Sequence, residues 1–505
     1  MTSFAALFYK INDQYVDKAE YLILEVGEEE NKPMHSEYTA AKYNNTVTAF
    51  LNRRASHYVD LAGITMLLGS ILSGGPVVNR LLDEVVNLTK FSWIVSTPHL
   101  MLQNAGLMVF NKRHFLIDTE KIIANAGRLM GKKVVFILPT SGKNLKTVAK
   151  SVHSVVYWGE SVRHKLDDIP AVMSWVVAEE DNYMDNLEYY EDIRRIGCRV
   201  IVVPKNFQTA NKTQYKARAL TYVLEVMRQE QLATENVWIY HQDDETMVGE
   251  DSMFGIMDFI QSASPTDVYA AGIIIIYADG WRVTVSQAQE PARSYDDMRI
   301  LFTTKTKGML SFGHHGSHLL VRADAEERIG WDFGNVKTED WLFGLKLCQE
   351  YRPTKTILKG FGYEKPPLTV KDLLRQRRRW AQGALQVLRR RDVRLRYRLA
   401  ALYGVVSWLS ALPSLIAFLL NIINPTGGLF IASGALAGFT WFSLFKYYQK
   451  GYELNKPYMK GLEKTLKNKV KSVSAIAFGM LLESFSPWYA LVRPAKDFEV
   501  IAKDE

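Results

Sequence analysis

Apolar positions divide the chain into unlike parts. Residues 1–56 are polar and mixed, with Glu28, Glu29 and Glu30 at their centre, and predict a small cap or arm. Two stretches, Leu61–Asn79 and Phe91–Phe110, approach the ~20 residues that cross a bilayer. The first carries Gly74, Gly75 and Pro76, the second Pro98, His99 and Gln103, so residues 57–111 read either as a transmembrane hairpin or as a buried helical one. The pattern then changes. Lys133–Leu138 is a short apolar run closed by Pro139, the form of a buried parallel strand. Ala171–Ala178, Arg199–Val203, Val237–Tyr240 and Ala271–Tyr277 repeat it, and Asn211–Arg228 carries Ala217, Leu220, Val223, Leu224 and Met227 at helical spacing. Strands alternating with helices predict an α/β domain over 112–398 with a mostly parallel sheet. Its ligands should bind beyond the carboxyl ends of the strands.

Beyond that domain two uncharged runs, Leu399–Ile423 and Gly427–Phe445, flank the turn-like Asn424-Pro425-Thr426-Gly427-Gly428. They predict a transmembrane hairpin over 399–446. Residues 447–505 form a basic loop and a third apolar segment, Val473–Val492, which holds Glu483 and Pro487 and could cross the membrane or lie in its interface. Arg389, Arg390, Arg391, Arg394, Arg396 and Arg398 precede the hairpin; Lys446, Lys450, Lys456, Lys460 and Lys464 follow it, and the connection is uncharged. The positive-inside bias therefore puts the α/β domain in the cytosol.

Composition alters this picture little. Across 505 residues, 48% are apolar and 23% charged, ordinary for a globular chain, but no charge occurs between Arg398 and Lys446. The net charge of +8 comes with no zinc-finger spacing, RNP-type strand or basic heptad, which excludes nucleic acid as the expected partner. A lipid bilayer and phosphorylated ligands account for it instead. Two cysteines, Cys198 and Cys348, cannot build a disulfide framework and fit a reducing compartment. The first residues lack a charged-then-apolar leader pattern, so no cleaved signal is expected.

Three clusters carry chemistry. His241-Gln242-Asp243-Asp244-Glu245-Thr246 follows the strand Val237–Tyr240 directly. Adjacent carboxylates at a buried strand end repel unless a cation offsets them; a hard dication shared with substrate phosphates would do so, and a solvated acidic turn is the plainer alternative. Asp243 and Glu245 alternate and can project to one side, with Asp244 turned elsewhere or toward a sugar. Thr338-Glu339-Asp340-Trp341 opens a helical pattern, where Thr338 can cap and the acids favour the first turn; a carboxylate there could also take a proton from a hydroxyl. Arg375-Gln376-Arg377-Arg378-Arg379-Trp380 pairs forked guanidiniums suited to phosphate with a flat aromatic face, or lies at a lipid surface. The close histidines His314, His315 and His318 lack the companion cysteines or HExxH spacing of a zinc site.

In this order, strand–Asp-x-Asp/Glu, Thr-Glu-Asp, then Q-x-x-R-W before membrane spans, the chain resembles family-2 glycosyltransferases of GT-A fold. Cellulose, chitin and hyaluronan synthases belong to that group. The local motifs look closest to egghead-type β-1,4-mannosyltransferases, over roughly residues 130–390 and the flanking spans. The resemblance implies a nucleotide-sugar donor, GDP-mannose above others, a lipid-linked or glycan acceptor, and Mg²⁺ or Mn²⁺. It implies metal binding by Asp243 and Glu245, with Glu where many relatives have a second Asp, and Asp340 as general base with Glu339 beside it. Asp244, Gln376, Arg379 and Lys216 would contact the donor; Pro139, Thr140, Glu180 and Asp181, read as following the first two strands, would line the nucleotide. Trp380 would face the acceptor, as would the Gly-rich segment holding Gly316, Ser317 and His318. The expected reaction is a single inverting displacement. A processive polysaccharide synthase, which needs more spans, and a non-catalytic membrane adaptor are the alternatives.

Overall fold

The computed structural model describes residues 37–52, 115–167, 170–277, 284–298, 315–353, 355–423, 428–459, 465–495 and 501. The expected hairpin within 57–111 and the turn at 424–427 lie outside them.

The domain is built on seven strands: β1 Lys133–Thr140, β2 Ala171–Glu179, β3 Arg199–Val203, β4 Val237–His241, β5 Tyr269–Ile276, β6 Leu319–Arg322 and β7 Ile357–Glu364, in the order β3-β2-β1-β4-β6-β5-β7. Every neighbouring pair is parallel except those of β6, which runs antiparallel to both β4 and β5. The mixed α/β architecture with a mostly parallel sheet is the one expected. The helices used below are α1 (residues 40–52), α2 (Leu145–Lys165), α3 (Tyr215–Gln229), α4 (Glu250–Ser262), α5 (Val285–Gln289), α6 (Glu339–Tyr351), α7 (Val370–Leu388), α8 (Leu395–Ile423), α9 (Gly428–Asn455) and α10 (Leu466–Val492).

Side chains alternate across the sheet. Val134 and Phe136 of β1 pack into one layer with Met253, Phe254 and Met257 of α4. Val135 and Ile137 pack into the other with Leu220, Val223 and Leu224 of α3. Part of the predicted N-terminal cap joins the first layer: Tyr43, Val47 and Leu51 form a buried i, i+4, i+8 stripe on α1. The Tyr43 hydroxyl donates to the Phe115 carbonyl at 2.8 Å.

Two strands escape the apolar pattern, β6 and β7, and each for a reason. β6 has only four residues. β7 contains Gly360 and Gly362, and glycine weakens strand signals. The structure requires both. A Cβ on Gly362 would lie 2.7 Å from the His318 side chain, and Gly360 has φ +82° with its Cα against the Asp251 carbonyl. Pro139 is inside β1, paired with Val177, not after the strand as expected. Proline is tolerated there because the β1–β4 ladder ends at Ile137↔His241, so this part of β1 has a strand on one side only.

α7 leads into α8; α8, α9 and α10 pack on one another, and α8 and α10 pack against α7. Among the described residues two helices are long and apolar enough to cross a membrane, through windows Leu395–Ile416 and Leu466–Val492. On α10 Phe478, Leu481, Phe485, Trp488 and Val492 are exposed at i+3 and i+4 steps, an apolar stripe that the other described residues do not cover. Lys450, expected among the flanking charges, is instead buried, with its ammonium 5.6 Å from the centre of the Tyr295 ring.

Candidate active site

β4 is buried along its whole length, and the chain turns tightly as it leaves: Thr246 N–H donates to the Asp243 carbonyl at 3.0 Å and Asp243 N–H to Thr246 Oγ1 at 3.2 Å. The turn sends Asp243 and Glu245 into one cavity. Asp244 points back to α2's N-terminus, where its Oδ2 accepts from Asn144 Nδ2 at 3.2 Å. The Lys216 ammonium of α3 pairs with Asp243 and donates to the Gly316 carbonyl at 3.0 Å. Burial would raise Asp243's pKa, but Lys216, with Arg379 and Arg293 behind it, holds it below the usual carboxylate value. Asp244 has no such help. Burial, then repulsion from Glu245 and Asp243, drives it well above that range.

Thr338 sits at the N-terminus of α6, but its hydroxyl makes no capping bond and has no hydrogen-bond partner; the predicted side-chain cap is absent. Its place is set by packing. A Cβ on Gly383 of α7 would come within 2.4 Å of Thr338 Cγ2 and Oγ1, so glycine lets α7 seat directly on the start of α6. Asp340 Oδ1 accepts its neighbour's Trp341 N–H at 2.8 Å. Its Oδ2 faces Gly316, where a Cβ would approach it to 3.3 Å and Lys216 Nζ to 2.7 Å. Burial raises Asp340, offset in part by Lys216, and Asp243 adds to the rise. Burial and then Asp340 push Glu339 to about 7.

From α7, Gln376, Arg377, Arg379 and Trp380 line the same cavity as Asp243, Glu245 and Asp340. Three distant stretches of sequence thus meet there. Two further residues join them that the sequence reading passed over. Arg293 holds Glu364 Oε2 at 3.0 Å and stands 5.4 Å from the Trp380 ring centre, and Glu364 accepts from the Ser317 hydroxyl. Glu364 ends β7, so the strand-end rule would have found it had β7 been legible.

Other predicted residues lie elsewhere. Ser317 and His318 are buried; His318 accepts the Tyr240 hydroxyl at Nδ1 (2.7 Å) and reaches the Gly360 carbonyl through Nε2 (3.1 Å). Since a carbonyl only accepts, Nε2 carries the proton, and burial lowers this imidazole to about 4. His318 faces the core and the Ser317 hydroxyl is turned to Glu364, so of the three residues expected beside the acceptor Gly316 alone lines the cavity. His315 does so too, paired with Asp297, and His314 lies outside the described residues. Glu180 and Asp181 open a short helix after β2 and line a second groove with Lys205, Thr213 and Arg218; Lys205 binds both. Pro139 and Thr140 line neither cavity.

The donor set fits a hard dication in one particular mode. Among the described residues no group of three or more His, Cys, Asp and Glu could hold an ion by itself. Asp243 and Glu245 offer two carboxylates in one cavity, and a cation of the Mg²⁺ type uses one or two such ligands with substrate phosphates and water. Burial, then Glu245 and Asp243, disfavour the charged form of Asp244, a repulsion that a cation there would relieve.

Residues 238–446, which hold the acids after β4, the start of α6 and the basic helix α7, match the family model described as glycosyl transferase family group 2. The chain carries this domain and is a glycosyltransferase. It is similar to the β-1,4-mannosyltransferase egh of Drosophila melanogaster, 24% identical over 432 residues that cover 84% of this chain and 89% of that one. It is likewise similar to the β-1,4-mannosyltransferase bre-3 of Caenorhabditis briggsae, 26% identical over 64% of this chain and 66% of that one. Among solved structures, the mannosyltransferase PcManGT from Pyrobaculum calidifontis, in complex with GDP-Man and Mn²⁺, aligns with a TM-score of 0.46 and 14% identity over 75% of this chain and 98% of that one.

Proposed function

We propose that the protein transfers mannose from GDP-mannose to a hydroxyl of a lipid-linked acceptor, with inversion to a β-linkage and with Mg²⁺ or Mn²⁺. The observation that carries this reading is the shape of the cavity. One end holds Asp243, Glu245, Asp340 and Arg379; the other continues between α8, α9 and α10 past Gly404, Trp408, Ala411, Leu444 and Met480. A polar end for chemistry continuous with an apolar end suits an amphiphile whose sugar head reaches the acids. The two mannosyltransferase relatives support the sugar and the β-1,4 linkage.

In this reading Asp340 Oδ2 takes the proton of the attacking hydroxyl, and a carboxylate raised by burial is better matched to that task near neutral pH. Arg379 and Lys216 offset negative charge gathering on the departing diphosphate. Trp380 presents a flat face to the acceptor sugar. A dication held by Asp243 and Glu245 supplies Lewis-acid neutralisation of the diphosphate. The helices α8 and α10 anchor the domain at the cytosolic face of a membrane.

The test uses the full chain in phosphatidylcholine nanodiscs, with GDP-mannose, UDP-glucose or UDP-N-acetylglucosamine, octyl glycosides as acceptors, and Mg²⁺ or Mn²⁺. Acceptor-dependent GDP release with a β-configured product by proton NMR is expected. Release from no donor, or an α-product, overturns the reading; a ladder of long products favours a processive synthase.

A further inference from the structure

Glu483 is a carboxylate midway along α10, on a helix otherwise apolar enough for a membrane. Ionisable residues in such segments are costly, and those present mark functional contacts more often than anchoring. Glu483 Oε2 accepts from Arg377 Nε at 2.7 Å and from the amide of Gln289, the last residue of α5. The same guanidinium donates to Glu290 Oε1 at 2.5 Å and to Gln376 Oε1 at 2.6 Å. It is therefore held along three directions, and it lies 4.3 Å from the centre of the Trp380 ring.

Charge balance alone does not require Glu483. Arg377 and Arg293 already meet Glu290 and Glu364, with Arg293 shared between those two acids. Two guanidiniums and two carboxylates are neutral without a third acid. What Glu483 adds is direction: it fixes the Nε edge of Arg377, and through the stacked cation it fixes the plane of the Trp380 ring.

We propose that Glu483 is a positioning residue, through which a membrane-type helix sets the orientation of Trp380 toward the acceptor sugar. This rests on the reading of Trp380 as the acceptor's platform. Glu483→Leu takes a partner from the buried Arg377 guanidinium, so a merely structural carboxylate predicts a lowered unfolding temperature with both KM values unchanged. The positioning role predicts an acceptor KM raised at least tenfold with the GDP-mannose KM within twofold. Glu483→Gln keeps an acceptor oxygen for Arg377 and should stay within threefold of wild type. In a Trp380→Ala background the leucine substitution should change kcat/KM by less than twofold, because the group it acts through is gone.

The assay is GDP release in nanodiscs with the octyl glycoside that wild type uses fastest. Should Glu483→Leu fail to fold, Arg377→Lys probes the same contact from the other side. It keeps the charge, loses the fork, and should give the same rise in acceptor KM. An acceptor KM within twofold of wild type, equal losses for both substrates, or additivity with Trp380→Ala overturns the proposal. Wild-type protein that transfers no sugar overturns the functional reading instead.

Discussion

Gly383→Ala is the sharpest probe of how the site is assembled. The added methyl would sit 2.4 Å from Thr338 Cγ2 and Oγ1 and 2.8 Å from Thr338 Cβ, where ordinary contact begins at 3.4 Å. Threonine is short and cannot swing away, so α7 must retreat by about 1 Å (3.4 − 2.4). Trp380 and Arg379 lie three and four residues earlier on the same helix face, so they move with it. A misplacement of ~1 Å at reacting groups can cost about 10²-fold in rate. Stability responds less. Overpacking costs about 1–3 kcal/mol, while replacing a mid-helix glycine by alanine returns roughly 0.5–1 kcal/mol.

Gly383→Ala should therefore unfold within a few degrees of wild type yet lose about two orders of magnitude in kcat/KM, measured as GDP release. Thr338→Ala in the same chain removes the two closest atoms and leaves only Cβ, at 2.8 Å, and since the Thr338 hydroxyl has no hydrogen-bond partner among the described residues its loss breaks no bond there. The double variant should recover much of the activity. A single variant within threefold of wild type, or a double variant no better than the single, refutes the claim that this contact sets the spacing between α6 and α7.

Asp340→Asn should lower kcat by ~10²–10⁴-fold while GDP affinity, by calorimetry, stays unchanged; sugar transfer near the wild-type rate would remove Asp340 from the base's role. Asp243→Ala should abolish the Mn²⁺-dependent part of GDP binding, and wild-type affinity indifferent to Mn²⁺ would sink the metal assignment. Buried Asp251, which accepts from Phe361 N–H at 2.8 Å and the Tyr363 hydroxyl at 3.0 Å, is raised by burial to about 8. Because the folded pKa exceeds the unfolded one, its protonated form favours folding, and that stability is lost as pH rises through about 8. Asp251→Asn should flatten the fall of Tm as pH rises from the ordinary carboxylate range to about 8, and an unchanged slope across that window would count against the burial argument.

Much of this was legible because the sheet's first half obeys simple rules. β1 to β5 are runs of Val, Ile and Ala long enough to show, and α3 has a clear apolar stripe. β6 and β7 hide for physical causes: one is short, the other is broken by glycines that the His318 ring and the Asp251 backbone demand. The site followed the same division. Acids after β4 announced themselves, as did the Thr338–Asp340 start of α6 and the arginines of α7. Arg293 and Glu364 did not, since their meaning depends on an ion pair between segments 71 residues apart (364 − 293). The resemblance groups Ser317 and His318 with Gly316 as one Gly-rich segment, whereas β6 begins at Leu319 and both side chains are buried.

Charge explains why these segments converge. Asp243, Glu245, Asp340 and Glu364 line one cavity against Arg293, Arg377 and Arg379, and Arg377 is already engaged by Glu290 and Glu483. Burial disfavours the charged form of these acids: Asp244, Glu339 and Glu364 are all raised, burial first in each case and neighbouring carboxylates adding to it. A sheet end that gathers acids without enough cations is costly in isolation. A cation beside Asp244 and Glu245 would relieve that repulsion, so the proposed donor, a metal-bound nucleoside diphosphate, would bring positive charge to these acids and negative charge to Lys216 and Arg379, which neither a neutral sugar nor a bare anion could do.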